Sequence, residues 1–216
     1  TALENASVCL SRDEAILLML QNNDQKDHAA WMHPAIDNLL KECSYHVTDI
    51  DAVAVSIGPG SYTGLRVGLA AAKGICYALK IPLISVSTLE AMAYAVKEEA
   101  TELICPLIDA RRMEVYSAIF DKQMAEIEKP QAIVINASSF TDRLQQQKIL
   151  FCGSGSKKLQ EILTHYNASF SQTNMTAAAI AALAMEKHLQ QAYSDLAYAE
   201  PLYIKDFYTS ARNFSA

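Results

Sequence analysis

Ala52-Val-Ala-Val-Ser-Ile-Gly58-Pro-Gly-Ser-Tyr-Thr-Gly64-Leu-Arg-Val-Gly68-Leu-Ala-Ala-Ala-Lys-Gly-Ile-Cys-Tyr-Ala-Leu-Lys80 is the stretch whose reading decides the fold. Its opening apolar, β-branched run predicts a strand buried on both faces. Gly58-Pro59-Gly60-Ser61 ends that strand, because two glycines tolerate positive φ on either side of a proline whose φ is fixed. A helix is predicted from Tyr62 or Thr63, capped by Ser61 or Thr63. Strand, glycine loop and helix N-terminus together present backbone donors to an anion. Backbone N–H groups from Gly60, Ser61, Tyr62 and Thr63 are therefore candidate nucleotide-phosphate ligands. A purely structural strand-to-helix turn explains the same residues equally well.

The helix has an uncommon surface. Gly64, Gly68 and Ala71 or Ala72 fall on one flat face, and interior helix glycines cost roughly 1 kcal/mol each against alanine. Close packing must offset that cost. Arg66, Lys73 and Lys80 recur on another face, read as the solvated one.

Working outward, the upstream chain predicts a hairpin of Ala6–Leu10 and Ala15–Leu20 around Asp13-Glu14. A polar loop follows from Asn22 to Ala30. A helix from His33, with Pro34 in its first turn, carries the apolar stripe Met32, Ile36, Leu39, Leu40, Cys43. Downstream, Pro82–Val86 is a strand parallel to the first if the glycine-rich helix is a crossover, and Thr88–Glu98 is a helix capped by Thr88. Glu98–Glu102 is the expected domain junction. A second block then echoes the first: strands at Leu103–Asp109, Val115–Phe120, Ala132–Ile135 and Lys148–Cys152, and helices at Phe140–Gln146, from Gly153-Ser-Gly-Ser156 to His165, and over Ala177–Ala192. Tyr198–Phe207 reads as an extended tail. The fold class is α/β, with lobes at residues 1–99 and 100–216.

With 216 residues and 51% hydrophobic side chains, the chain can bury a substantial core. A net charge of −6 argues against holding nucleic acid alone, since phosphate neutralisation needs a basic surface. Five cysteines, Cys9, Cys43, Cys76, Cys105 and Cys152, stand singly with no C-x-x-C, the pattern of core thiols in a reducing compartment. No membrane span or signal peptide is read, so a cytoplasmic protein is expected.

Ser56 to Gly68 also resembles the signature of the bacterial TsaB (YeaZ) family. Ile81–Ala93, Asp109–Tyr116 and Ala199–Lys205 continue the likeness. The resemblance implies a two-lobed fold of the actin, hexokinase and Hsp70 (ASKHA) superfamily, built as duplicated mixed-sheet halves. It implies a non-catalytic scaffold or activator in making N6-threonylcarbamoyladenosine at position 37 of ANN-decoding tRNAs. The implied partners are a catalytic TsaD-like subunit and a TsaE-like ATPase, with tRNA met only through the complex and a homodimer when the partner is absent. No cofactor of its own is implied, ATP entering through the complex. The alternative is a stand-alone actin-like ATPase or kinase. In the family a first strand ending in Asp precedes the Thr-Ala turn. None precedes Thr1 here, so either the chain is clipped before Thr1 or the likeness fails at its start, and the first lobe reads as lacking that strand.

The remaining chemistry is sparse. Gly58, Gly60 and Gly64 are spaced neither as a dinucleotide fingerprint nor as a Walker A loop. Gly153-Ser-Gly155 resembles the adenosine-side turn of actin-like ATPases, and Asp109 falls at their second phosphate loop. A packing turn at the two glycines, and an ion pair or hinge at Asp109 with Arg111, are the plainer readings. The TsaD-type sister subunit binds metal through His-x-x-x-His, whereas His28 and His33 would stand about 140° apart on a helix. No metal site is expected. No G-x-S-x-G is present and no cysteine sits in a catalytic context. Partner binding is expected on a four-helix interface formed by the stripe Met32, Ile36, Leu39, Leu40, Cys43 and the flat face Gly64, Gly68, Ala71, Ala72, Ile75.

Overall fold

A computed structural model describes residues 1–23 and 28–205. The chain forms an α/β fold with helices packed on mixed and parallel sheets. A hairpin opens it, β1 (Ala6–Arg12) antiparallel to β2 (Ala15–Asn22) with a bulge between Leu10 and Ser11. Then come α1 (His28–Glu42), β3 (Val53–Gly58), α2 (Tyr62–Leu79), β4 (Leu83–Ser87) and α3 (Thr88–Val96). β3 and β4 are parallel, as the crossover helix requires.

The second half holds β5 (Leu103–Asp109), β6 (Glu114–Asp121), β7 (Glu126–Val134), α4 (Thr141–Leu144), β8 (Ile149–Cys152), α5 (Ser156–Ile162), β9 (Ala168–Phe170) and α6 (Ala177–Leu189). Its five strands lie in the order β7-β6-β5-β8-β9. β5 is central, antiparallel to β6 and parallel to β8. Successive β5 residues alternate between two cores. Ile104 and Ile108 pack with Leu89, Met92 and Val96 of α3, while Leu103, Cys105 and Leu107 pack with Leu144, Phe151 and Leu159 on the other face. A strand buried on both faces reads as an unbroken apolar run for this reason.

Helices cross the expected junction in both directions. α3, which precedes it, covers the five-stranded sheet, and α6, which follows it, packs Ile180, Leu183 and Ala184 on Ile84 and Val86 of β4. The tail also returns: Leu202 N–H donates to Ile57 O at 2.7 Å. Residues 206 and 207 of the predicted tail lie outside the described residues, as do residues 24–27 of the predicted loop.

Several elements differ from the sequence reading. α1 starts at His28 rather than His33, with Pro34 inside it. Met32 and Ala35, on either side of the proline, are buried and anchor the helix there, against the cost of the missing N–H. Ser87, not Thr88, caps α3 by accepting from Glu90 N–H. Thr88 is fully buried and shares a 2.6 Å hydrogen bond with Ser56 Oγ. β7 reaches back to Glu126. Its charged, proline-bearing half gave no strand signal because it is an edge, where charge and Pro130 block further pairing. β9 is three residues long and too short for periodicity to reveal. β3, predicted to be buried on both faces, is only half-buried from Val53 to Ile57, because one side opens onto a cavity.

Candidate functional site

The glycine loop sits at the C-terminal end of β3. Gly58 has φ +117°, a conformation that favours glycine. Ser61 caps α2, its Oγ accepting from Gly64 N–H at 3.3 Å. The Thr1–Ala2 segment lies across this loop. Ser61 N–H donates to Ala2 O at 2.8 Å, and Thr1 Oγ1 donates to Gly64 O at 2.8 Å. The loop glycines make that approach feasible: a Cβ on Gly60 would stand 2.3 Å from Ala2 O. One of the predicted anion donors, the Ser61 amide, is thus already engaged by the chain's own carbonyl. Tyr62 stacks tilted against Tyr203 of the tail at 5.6 Å, and the Arg66 guanidinium lies over the Tyr62 ring. Thr63 is exposed.

The second cluster sits at the C-terminal end of β5. Asp109 Oδ1 accepts from Arg111 N–H at 2.6 Å and pairs with Lys158 Nζ at 2.6 Å. The expected Asp109–Arg111 ion pair is therefore corrected. Arg111 contributes its backbone, and the cation is Lys158 from α5, which also donates to Arg112 O. Desolvation pushes the Asp109 carboxyl up, but the Lys158 hydrogen bond and the Arg111 amide outweigh it and leave the pKa below the ordinary value. Asp109 N–H donates to Ser154 Oγ at 3.1 Å, which ties the aspartate to the two-glycine turn. That turn is packed closely. A Cβ on Gly153 (φ +90°) would meet Met92 Cε at 2.0 Å, and one on Gly155 would meet Val115 Cγ1 at 2.8 Å. Lys158 has no local signal in the sequence, since its partner lies on a strand 49 residues away.

A cavity of about 510 Å³ lies between β1 and β3, walled by α1 and α2 on one side and α6 on the other. It collects most of the stripe expected to bind a partner: Met32, Ile36, Leu39 and Leu40 from α1 with Gly68, Ala71, Ala72 and Ile75 from α2. Cys43 packs in the hairpin core and Gly64 is buried under Thr1. None of the ten is exposed. They point inward because α1 must cover the hairpin while α2 covers β3 and β4. The basic stripe is corrected at one position, since Arg66 and Lys80 are exposed as expected. Lys73, read as solvated, donates to Ala197 O at 3.1 Å and Ala199 O at 3.0 Å and so holds the tail.

His28 and His33 both lie on α1, five positions apart. Among the described residues no group of three or more His, Cys, Asp or Glu is placed to hold a metal ion, and no helix is long and apolar enough to cross a membrane.

Residues 21–209 match the model of the TsaD family, tRNA N6-adenosine threonylcarbamoyltransferase. The chain belongs to this family, on its TsaB (YeaZ) branch. It is 34% identical over 122 residues to the tRNA threonylcarbamoyladenosine biosynthesis protein TsaB of Bacillus subtilis, covering 56% of this chain and 53% of that protein. It is 36% identical over 124 residues to the Escherichia coli protein of the same name, with 56% and 53% covered. The chain thus spans about half the length of these curated relatives. Among solved structures it is similar to YeaZ from Pseudomonas aeruginosa, with a TM-score of 0.81 and 24% identity over 94% of this chain and 96% of that one. A second solved structure, an uncharacterized protein with similarity to peptidase YeaZ, also from Pseudomonas aeruginosa, gives a TM-score of 0.84 and 23% identity over 95% and 96%. These two likenesses carry the fold. The TsaB signature read in Ser56–Gly68 lies within the matched residues 21–209, and the curated relatives bear the TsaB name.

Proposed function

We propose that this chain is a non-catalytic, two-lobed, actin-like subunit of the machinery that makes N6-threonylcarbamoyladenosine in tRNA. It would serve as a scaffold and activator for a TsaD-like transferase, with a TsaE-like ATPase joining the pair and tRNA bound only by the complex. The observation that carries this reading is the family match across residues 21–209, together with relatives named for that biosynthesis.

The non-catalytic part rests on how the two phosphate-loop candidates are used. The Ser61 amide is taken by Ala2, and the Asp109 carboxylate is taken by Lys158 and the Arg111 amide. Groups already paired within the chain must first break those bonds to serve ATP. A stand-alone ATPase or kinase gains nothing from this arrangement.

The partner would dock on the outward side of α2 rather than on the inward residues expected from sequence. Ala70, Gly74 and Tyr77 are exposed there, Tyr77 at 80%, and nothing lies within 4 Å of where a Gly74 Cβ would stand. A flat, small-residue surface beside one aromatic anchor suits a helix from a homologous lobe or from a second copy. Size-exclusion chromatography with a TsaD-like subunit tests this. The native chain should co-elute, and Gly74→Arg should fold normally by circular dichroism yet elute alone. Nucleoside mass spectrometry after deletion of the gene should show depletion of the modified adenosine. An unchanged level would overturn the reading.

A further inference from the structure

The chain carries 18 Lys and Arg against 24 Asp and Glu, yet the turn joining β5 to β6 has cations to spare. Both carboxylates beside that turn are taken. Asp109 pairs with Lys158 of α5, and Glu114 pairs with Lys205 of the tail. Arg111 and Arg112 lie between them in sequence and are exposed. Among the described residues neither guanidinium has a hydrogen bond or an ion pair.

The backbone there is held in a conformation that suits glycine. Arg111 has φ +72° and Arg112 φ +50°, where a Cβ crowds the following carbonyl oxygen. The turn is fixed from within the chain: Arg111 N–H donates to Asp109, and Lys158 donates to Arg112 O. A turn kept for its shape alone would be better served by two glycines. Strain of this kind persists where the side chains themselves are needed.

The tail extends the cationic surface toward the first half. Lys205 meets Glu114, and two residues earlier Tyr203 lies 5.6 Å from the Tyr62 ring. The Arg66 guanidinium stands 4.9 Å from the centre of Tyr62. Tyr62 is 44% exposed and Tyr203 40%. Cations and aromatic rings therefore alternate from the β5–β6 turn to the start of α2. Exposed rings among guanidinium groups suit the bases and phosphates of RNA, whereas an acidic protein surface would need the cations alone.

We infer that this strip, with Arg111 and Arg112 at its head, is the chain's own contact with the phosphate backbone of tRNA inside the complex. The inference rests on the proposed function and assigns this chain a share of the RNA contact. Two spare arginines are too few to hold RNA on an acidic chain alone, which agrees with tRNA being met only through the complex.

The test uses the full chain assembled with a TsaD-like subunit and an ANN-decoding tRNA transcript, with affinity measured across a salt series. Arg111→Gly combined with Arg112→Gly removes both charges and relaxes both φ values, so the variant should keep its circular dichroism spectrum. It should still co-elute with the TsaD-like subunit. It should bind the transcript at least about tenfold more weakly, with a slope of log affinity against log salt shallower by about 1.5. Lysine at both positions restores the charges and should recover the slope. Unchanged affinity and slope in the glycine variant overturn the inference and leave the proposed function standing. Loss of co-elution also overturns it, since the arginines would then face a protein. So does ATP that competes as well as unlabelled tRNA, phosphate for phosphate, since a free nucleotide would then be the ligand. A native complex that does not assemble or binds no tRNA overturns the proposed function, and this inference with it.

Discussion

Thr1 lies directly on Gly64: the Thr1 hydroxyl Oγ1 donates to Gly64 O at 2.8 Å, and a Cβ on Gly64 would stand 1.9 Å from the backbone Thr1 O. Gly64→Ala would gain helix propensity worth about 1 kcal/mol. The clash wins, because the atom in the way is a backbone carbonyl and not the end of a flexible side chain. A net loss of about 1–3 kcal/mol is expected, or roughly 2–10 °C in Tm. Gly74→Ala on the same helix meets nothing within 4 Å and should stabilise by about 0.5–1 kcal/mol. Calorimetry of the two variants checks both signs.

Lys158→Met should flatten the acid limb of the stability profile. The Asp109 carboxyl titrates below its ordinary value when folded, so its pairing adds stability above about pH 4. That stability is lost as pH falls through the folded value. The side chains are 22% and 40% exposed, and solvent screening holds the effect to about 0.5–1 kcal/mol. Urea midpoints should differ between the native chain and the variant at pH 7, and the difference should narrow as pH falls below about 4.

Lys73→Met should release the tail without unfolding the domain. Two carbonyl bonds to Ala197 and Ala199 are lost, for a cost of about 1 kcal/mol at a partly exposed site. The Leu202 amide, bonded to Ile57 O, should exchange faster and proteolysis should begin in the tail. An unchanged Leu202 exchange rate would show that the tail is held elsewhere.

Native alkylation at pH 8 should rank the five free cysteines. Burial pushes Cys105 up to about 12 and Cys9 up to about 11, and it raises Cys152 and Cys76 as well. The thiolate is the reactive form, so Cys43, which is partly exposed, should label first and Cys105 and Cys152 only after denaturation. Peptide mass spectrometry gives the order directly.

The sequence by itself determined the type of most elements and the family, short β9 and the edge half of β7 excepted. The apolar run at Leu103–Asp109, the loop Gly58–Ser61 and the helix cap at Ser61 are all local signals, and each sits in the structure where it was read. Those signals work because strand burial, glycine φ and capping depend on a few neighbouring residues. What only the tertiary structure decided is the use of each face. Gly64 looks like part of a docking surface until Thr1 is seen on it. Lys73 looks solvated until the tail arrives, and Asp109 looks paired with Arg111 until α5 brings Lys158. These partners lie 63, 126 and 49 residues apart along the chain. No periodicity encodes such a distance, since a contact between remote segments is chosen by how whole helices and sheets pack.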